Sequence, residues 1–309
     1  MTSLSRPLSS RMAGAPISWG ICEVPGWGLQ LPVDRVLTEM NEVGLTATEL
    51  GAAGWLPTSA ADINAVLGGH QLAAVAAFQP VVLHDEARLS ETLQDAEIAA
   101  QLLQDVGASN FVTCVVSDPD NWQRPELTEG QWACLYDGLD RLDVICAAHG
   151  LMQVVHPHVD SLIEQADEVE RLLANTTVQF CLDTGHLFIG GTDPLVFAQQ
   201  HVDRVGLVHL KDVDADVAVR LRAGEVTLMQ AVVDGIFPPH GEGAVPLADV
   251  VRAVEASGYD GWYVFEQDAA LLDGEPPVGS GPIRDVRKSV AYIRSLIAPL
   301  PGTEEAVIS

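Results

Sequence analysis

The sequence predicts an α/β fold of one domain, a (β/α)8 TIM barrel, and three observations carry that expectation. Eight short apolar runs alternate with longer amphipathic runs along the 309 residues. Gly44, Gly107, Gly150 and Gly258 each stand between an amphipathic run and the next apolar one, where glycine closes a helix in the left-handed conformation. Several apolar runs end in a histidine, a carboxylate or a lysine, as strands do when a parallel barrel gathers its active site at the C-terminal mouth. A doubly wound parallel sheet is the alternative for the same alternation.

In chain order, the strand MAGAPIS (12–18) leads to a helical pattern at 33–43, ATEL (47–50) to one at 58–68, and LAAVAAF (72–78) to one at 86–106. NFVTCVV (110–116) leads to 128–149, LMQVV (151–155) to 161–174, and VQFCL (178–182) to 193–202. VGLVHL (205–210) is followed by 246–257 and WYVFE (262–266) by 284–297. Asp62, Ser161 and Asp193 open helical segments, where a side-chain oxygen can take a free N–H. Two connections exceed the pattern: 211–245, which holds a short helix at 225–234, and 267–283. Both follow strands and so belong to the mouth, where long loops are usually functional. The barrel is expected over 13–298, with a loosely held N-terminal segment at 1–12 and a C-terminal tail at 299–309.

Composition narrows the partners. Hydrophobic residues make up 48%, enough for a large core, and the formal net charge is −27. A surface this acidic repels nucleic-acid backbones and anionic membranes, so neither is an expected partner. No apolar run approaches the roughly 18 residues of a membrane span. Cys22, Cys114, Cys134, Cys146 and Cys181 form no C-x-x-C pair, which suits reduced thiols in a cytoplasmic protein. A homo-oligomer is compatible with all of this.

The strand ends supply the chemistry. Glu49 ends the second strand, His156 and His158 the fifth, Asp183 and His186 the sixth, His209 and Lys211 the seventh, and Glu266 the eighth. The third offers Gln79 and, further on, His84. Singly, each has an ordinary structural role open to it: a satisfied polar histidine, a capping aspartate, a solvated lysine. Together, nitrogen and oxygen donors from neighbouring strands are what a divalent cation needs, and Mn²⁺, Co²⁺, Zn²⁺, Fe²⁺ or Mg²⁺ suits the set better than a Ca²⁺ cage.

The segments HPH (156–158), CLDTGH (181–186), VHLKD (208–212) and GYDGWYVFE (258–266) resemble the xylose-isomerase-like superfamily of sugar phosphate isomerases and epimerases. PISWG (16–20), TATELG (46–51), LDTGHLFIGGTDP (182–194), HLKDV (209–213) and FPPHGEG (237–243) are similar to its inosose dehydratase branch. The likeness runs from about residue 13 to 297 and is most specific from 151 to 268. It implies Asp183, His209 and Glu266 as metal ligands. A glutamate fills the first ligand position in many members, but His156 stands there here, so the first ligand is His156, His158 or none. The substitution also removes one of the two glutamates that ketose epimerases use as an acid/base pair, which favours elimination over epimerisation.

The implied reaction is dehydration of 2-keto-myo-inositol, a polyhydroxy ketone, to a trihydroxycyclohexane dione. Mn²⁺ or Co²⁺ would serve as Lewis acid, and a glutathione requirement is attached to the family. The expected roles are His158 or Lys211 as base, His186 as acid, and Glu49, Trp19 and Gln79 as holders of the polyol, with Glu266 both ligand and catalytic residue. A sugar isomerase or epimerase on the same barrel is the nearest alternative, and a non-catalytic sugar-binding barrel the next. A nuclease like endonuclease IV would need a basic groove, which the charge denies. The GEG of PHGEGAVP follows no strand, so it reads as a mouth loop over the substrate and not as a phosphate loop.

Overall fold

A computed structural model describes residues 6–297. Residues 1–5 of the expected N-terminal segment, residue 298 and the expected tail at 299–309 lie outside these. The strands are β1 (Met12–Gly14), β2 (Ala47–Thr48), β3 (Ala73–Ala74), β4 (Ala76–Val81), β5 (Asn110–Val115), β6 (Met152–Val155), β7 (Gln179–Asp183), β8 (Val205–Leu210) and β9 (Tyr263–Phe265). They form one parallel sheet in the order β3-β2-β1-β9-β8-β7-β6-β5-β4. The two outer members of that order are halves of a single strand interrupted at Val75: β3 pairs with β2 and β4 pairs with β5. Val75 N donates to Thr48 O at 3.0 Å, and Val75 O accepts from Ser109 N at 3.0 Å. One residue therefore bonds to both neighbouring strands and closes the barrel into eight staves.

The helices are α1 (Val33–Glu42), α2 (Ala60–Gly69), α3 (Glu86–Val106), α4 (Glu129–Ala148), α5 (Ala166–Asn175), α6 (Thr184–Gly190), α7 (Pro194–Gln200), α8 (Ala215–Arg222), α9 (Leu228–Val233), α10 (Leu247–Ala256) and α11 (Pro282–Ile297). None of the described helices is long and apolar enough to cross a membrane. Helix starts are built by side-chain caps: Asp85 accepts from Ala87 N, and Thr128 forms a reciprocal box with Gln131. Gly44, Gly107, Gly150 and Gly258 do take positive φ, at 82°, 79°, 70° and 83°.

Several boundaries differ from the sequence reading. The first strand stops at Gly14, and Pro16–Trp19 forms a 3-10 turn, because Pro16 has no N–H to give a ladder. Ser59 caps α2, with Asp62 three residues on, where its carboxylate accepts the Ser59 hydroxyl at 2.6 Å. Ser161 bonds locally to Ile163, and the helix waits until Ala166. Helices α6 and α8 arise where only connections were expected, while α9 falls within the helix read at 225–234. The described part of segment 1–12 packs on the barrel: Arg11 is fully buried, with Nη2 on Glu255 Oε1 at 2.8 Å and Nη1 on Gly261 O at 3.0 Å.

Inside the staves lies a layer of Ala13, Ala47, Val75, Ala76, Val112, Val154, Cys181, Leu207 and Val264. It is the floor on which the mouth residues stand.

Candidate active site

Side chains on a strand alternate between faces, so the residue two beyond a floor residue also points inward. Two beyond Ala47, Val154, Cys181, Leu207 and Val264 stand Glu49, His156, Asp183, His209 and Glu266. One further inward step brings His158, Lys211 and Asp268. Apart from His158, all of these are buried, Asp183 and Lys211 completely.

Asp183 has two jobs. Its Oδ1 caps α6, accepting from Gly185 N at 2.9 Å and His186 N at 2.7 Å. Its Oδ2 is left facing His156 Nε2 at 3.2 Å, His209 Nδ1 at 3.7 Å and Lys211 Nζ at 3.9 Å. The His209 ring lies between two glutamates: Nε2 meets Glu49 Oε1 at 2.9 Å, and Nδ1 is in direct contact with Glu266 Oε2. Glu266 Oε1 accepts from Lys211 Nζ at 3.0 Å, and the same ammonium reaches Asp268 Oδ1 at 2.9 Å and His186 Nε2 at 3.1 Å.

This donor set fits a divalent cation. Among the described residues, His156 Nδ1 is buried without a hydrogen-bond partner, and His209 Nδ1 and Glu266 Oε2 have only each other within hydrogen-bond distance. Buried atoms of that kind are costly unless a partner is supplied. His156, Asp183 and His186 hold donor atoms within 4.8 Å of one another, and so do Glu49, His209 and Glu266. His156 is the histidine of the HPH segment that touches Asp183. His158 turns away: its Nδ1 donates to Val159 O at 2.7 Å, and its ring lies 3.9 Å from that of His186.

Protonation follows from the neighbours. Burial alone would raise Asp183 and Glu266, but Lys211 with His156 holds the first below the usual carboxylate range, and Lys211 with His209 holds the second well below it. Burial also opposes charge on Lys211, and Asp268, Glu266 and Asp183 outweigh it, so the ammonium persists. Burial, then His156 and Lys211, push His158 down to about 3. Burial, then His158 and Lys211, likewise keep His186 neutral. His209 is pushed well above its usual value: burial opposes this, and Cys181, Glu49 and Glu266 prevail. A proton on Nδ1 of that ring occupies the position a metal ion would take, and a bound ion must displace it.

A family model described as xylose isomerase-like TIM barrel matches residues 37–296. The chain belongs to the xylose isomerase-like TIM barrel family. An inosose dehydratase of Geobacillus kaustophilus (strain HTA426) is 31% identical over 307 residues, covering 96% of this chain and 97% of the relative. Among solved structures, D-allulose 3-epimerase from Methylomonas sp. in complex with D-allulose superposes with a TM-score of 0.69 at 15% identity, over 95% of this chain and 99% of that one. The IOLI protein, solved with a zinc atom, gives a TM-score of 0.68 at 15% identity, over 93% of this chain and 98% of that one.

Within this xylose isomerase-like barrel, two residues read as substrate holders are elsewhere. Gln79 faces the helical shell, lining a cavity of about 180 Å³ with Arg88, Glu91 and Asp95. Its neighbour Phe78 points inward, with ring centroids 5.6 Å from both His156 and His158. Trp19, expected to offer its indole to the apolar face of the substrate ring, is fully buried with its N–H on Glu39 Oε2 at 2.9 Å, so no ring face is open to the mouth. An aromatic wall is instead made by Phe78 and Trp122, the latter 5.2 Å from the His158 ring. Asp268 was also missed, although Glu266-Gln267-Asp268 continues the two-residue period. Trp122 lies in an irregular loop and had no periodic signal. His84 is buried with Nδ1 lacking a hydrogen-bond partner among the described residues, outside the cluster.

The FPPHGEG segment is a mouth loop with Phe237 under Lys211, whose Nζ is 4.6 Å from the ring centroid. The amides of its two glycines are already taken. Asp212 Oδ2 accepts from Gly241 N at 2.8 Å and Gly243 N at 3.0 Å, and Oδ1 from Val245 N at 3.0 Å.

Proposed function

We propose that this chain is a divalent-metal-dependent hydro-lyase that removes water from a neutral polyhydroxy ketone of the inosose type, in the cytoplasm. The observation carrying this reading is the buried contact of His209 Nδ1 with Glu266 Oε2, beside Asp183 and His156, in a chain related over nearly its whole length to an inosose dehydratase. His156, Asp183, His209 and Glu266 would hold the ion, and the IOLI protein with its zinc supports a metal in this barrel type. A bound divalent ion supplies Lewis acidity that acidifies the C–H beside the ketone.

The remaining steps belong to side chains. His158 is the base: Nδ1–H is fixed on the Val159 carbonyl, so Nε2 carries the lone pair. Lys211, kept charged by its carboxylates, gives the proton that lets hydroxide leave as water, and the proton taken by His158, whose own affinity for it is low, restores the ammonium afterwards. Phe78 and Trp122 offer an apolar surface to the C–H face of a ring. A phosphorylated substrate is disfavoured, because Lys211 is bound to two carboxylates, the Gly241 and Gly243 amides to Asp212, and the Glu242 amide to Pro239 O.

Metal-loaded protein incubated with scyllo-inosose is expected to produce the absorbance of the dione, and chelator-treated protein none. Glu266→Gln should lose both metal binding and turnover. Interconversion of ketose epimers without dione formation would replace this reading with the epimerase one.

A further inference from the structure

We infer that Glu49 is a positioning residue of the metal centre, acting through His209. The inference rests on the metal-site reading above and assigns a role which that reading leaves open.

Imidazole has two nitrogens, and each has a carboxylate in front of it here. Nδ1 faces Glu266 Oε2, with Asp183 Oδ2 at 3.7 Å; Nε2 faces Glu49 Oε1 at 2.9 Å. With a cation held at Nδ1, the ring keeps one proton, and that proton is on Nε2. Glu49 then accepts the charge-assisted bond that fixes the tautomer and the ring plane. Without it, the ring could turn about its side-chain bonds and carry its lone pair away from Glu266 and Asp183. A carboxylate behind a ligating histidine has this effect in metal sites generally.

The placement of Glu49 suits this role. It follows β2, three staves away from β8, with β1 and β9 between them, so it holds the ring from a separate part of the barrel. Its backbone is pinned by Glu49 N donating to Gly14 O at 3.0 Å, and by Leu50 N donating to Ala76 O at 3.0 Å. Among the described residues, His209 is the one hydrogen-bond partner of the carboxylate. Its Oε1 is therefore committed to the His209 ring by a buried, charge-assisted bond.

The test compares Glu49→Ala and Glu49→Gln with the wild type. It measures Mn²⁺ affinity by competition with a chelator, the d–d absorption of the Co²⁺ form, and kcat and KM with saturating metal. Glu49→Ala is expected to bind Mn²⁺ about 10- to 100-fold more weakly. Its Co²⁺ spectrum should shift, and its KM for the ketone should stay close to wild type once metal is saturating. Glu49→Gln keeps an oxygen acceptor, so it should recover much of the affinity; being isosteric, it also serves if the alanine variant does not fold. Wild-type Mn²⁺ affinity in both variants, with KM raised, would overturn the inference and return Glu49 to the substrate. If the wild type itself binds no divalent ion, the metal-site reading fails and takes the inference with it.

Discussion

His240 is buried in the mouth loop, its ring 5.3 Å from Phe265 and nearly parallel to it, with neither ring nitrogen properly hydrogen-bonded among the described residues. Burial pushes it from 6.5 down to about 4. Between those values the folded ring is neutral while the unfolded one is protonated, so stability falls as pH drops through that window and is unaffected above it. For this one residue the loss at pH 5 is about 2 kcal/mol. His240→Phe keeps the stacked ring and removes the titration. Denaturant unfolding at pH 7.5 and pH 5 should show the wild type losing about 2 kcal/mol more than the variant; equal losses would show that the ring is not held neutral. At this scale, the place of Asp183, His209 and Glu266 at the barrel mouth was legible because each stands one inward step above an apolar floor residue. Gln79 was misread for a physical reason. Val75 and Ala76 both join the floor, so the interruption shifts the alternation by one and turns Phe78 inward and Gln79 outward.

Helix α6 shows why some elements escaped the sequence. Asp183 is both the last residue of β7 and the cap of α6, so no loop residue separates strand from helix. The period changes from two to 3.6 without punctuation, and DTGH reads as a motif of isolated ligands. Helix α8 did carry a signal: Asp214 caps it, and Arg220 and Arg222 occupy its last turn. The tight junction has a consequence for Lys211. A Cβ on Gly185 would lie 2.6 Å from Lys211 Cγ, while Thr184 Oγ1 donates to Lys211 O at 2.8 Å and accepts from Lys211 N at 2.9 Å. The backbone is held by these bonds, so most of the displacement falls on the lysine side chain, and the contact with Lys211 Cβ at 2.9 Å adds strain. Gly185→Ala should cost about 1–3 kcal/mol of stability. By displacing Nζ from Glu266 and Asp268, it should lower kcat about 100-fold while the protein still folds. Thermal melting and steady-state kinetics separate the two effects; unchanged kcat would mean that the position of Lys211 is not needed for turnover.

Across the whole molecule, the eight staves were legible because the same strand, helix and glycine pattern recurs. Closure of the ring was not, since it depends on Val75 bonding to two strands that no local period relates. The charge acts at this scale as well. With 16 Lys and Arg against 43 Asp and Glu, many carboxylates have no counter-charge however the cations are shared. The most deeply buried cations are already paired: Arg11 with Glu255, Arg35 with Glu39, and Lys211 with Glu266 and Asp268. The surplus is therefore largely a field of mutual repulsion, which draws cations toward the protein and repels anionic substrates. Raising NaCl from 0.1 M to 1 M shortens the screening length from about 10 Å to about 3 Å. That weakens repulsion between exposed carboxylates while leaving the buried pairs nearly untouched. The melting temperature of the metal-free protein should rise across this range. A fall would mean that surface ion pairs outweigh repulsion, and that the acidic surplus is already neutralised within the fold.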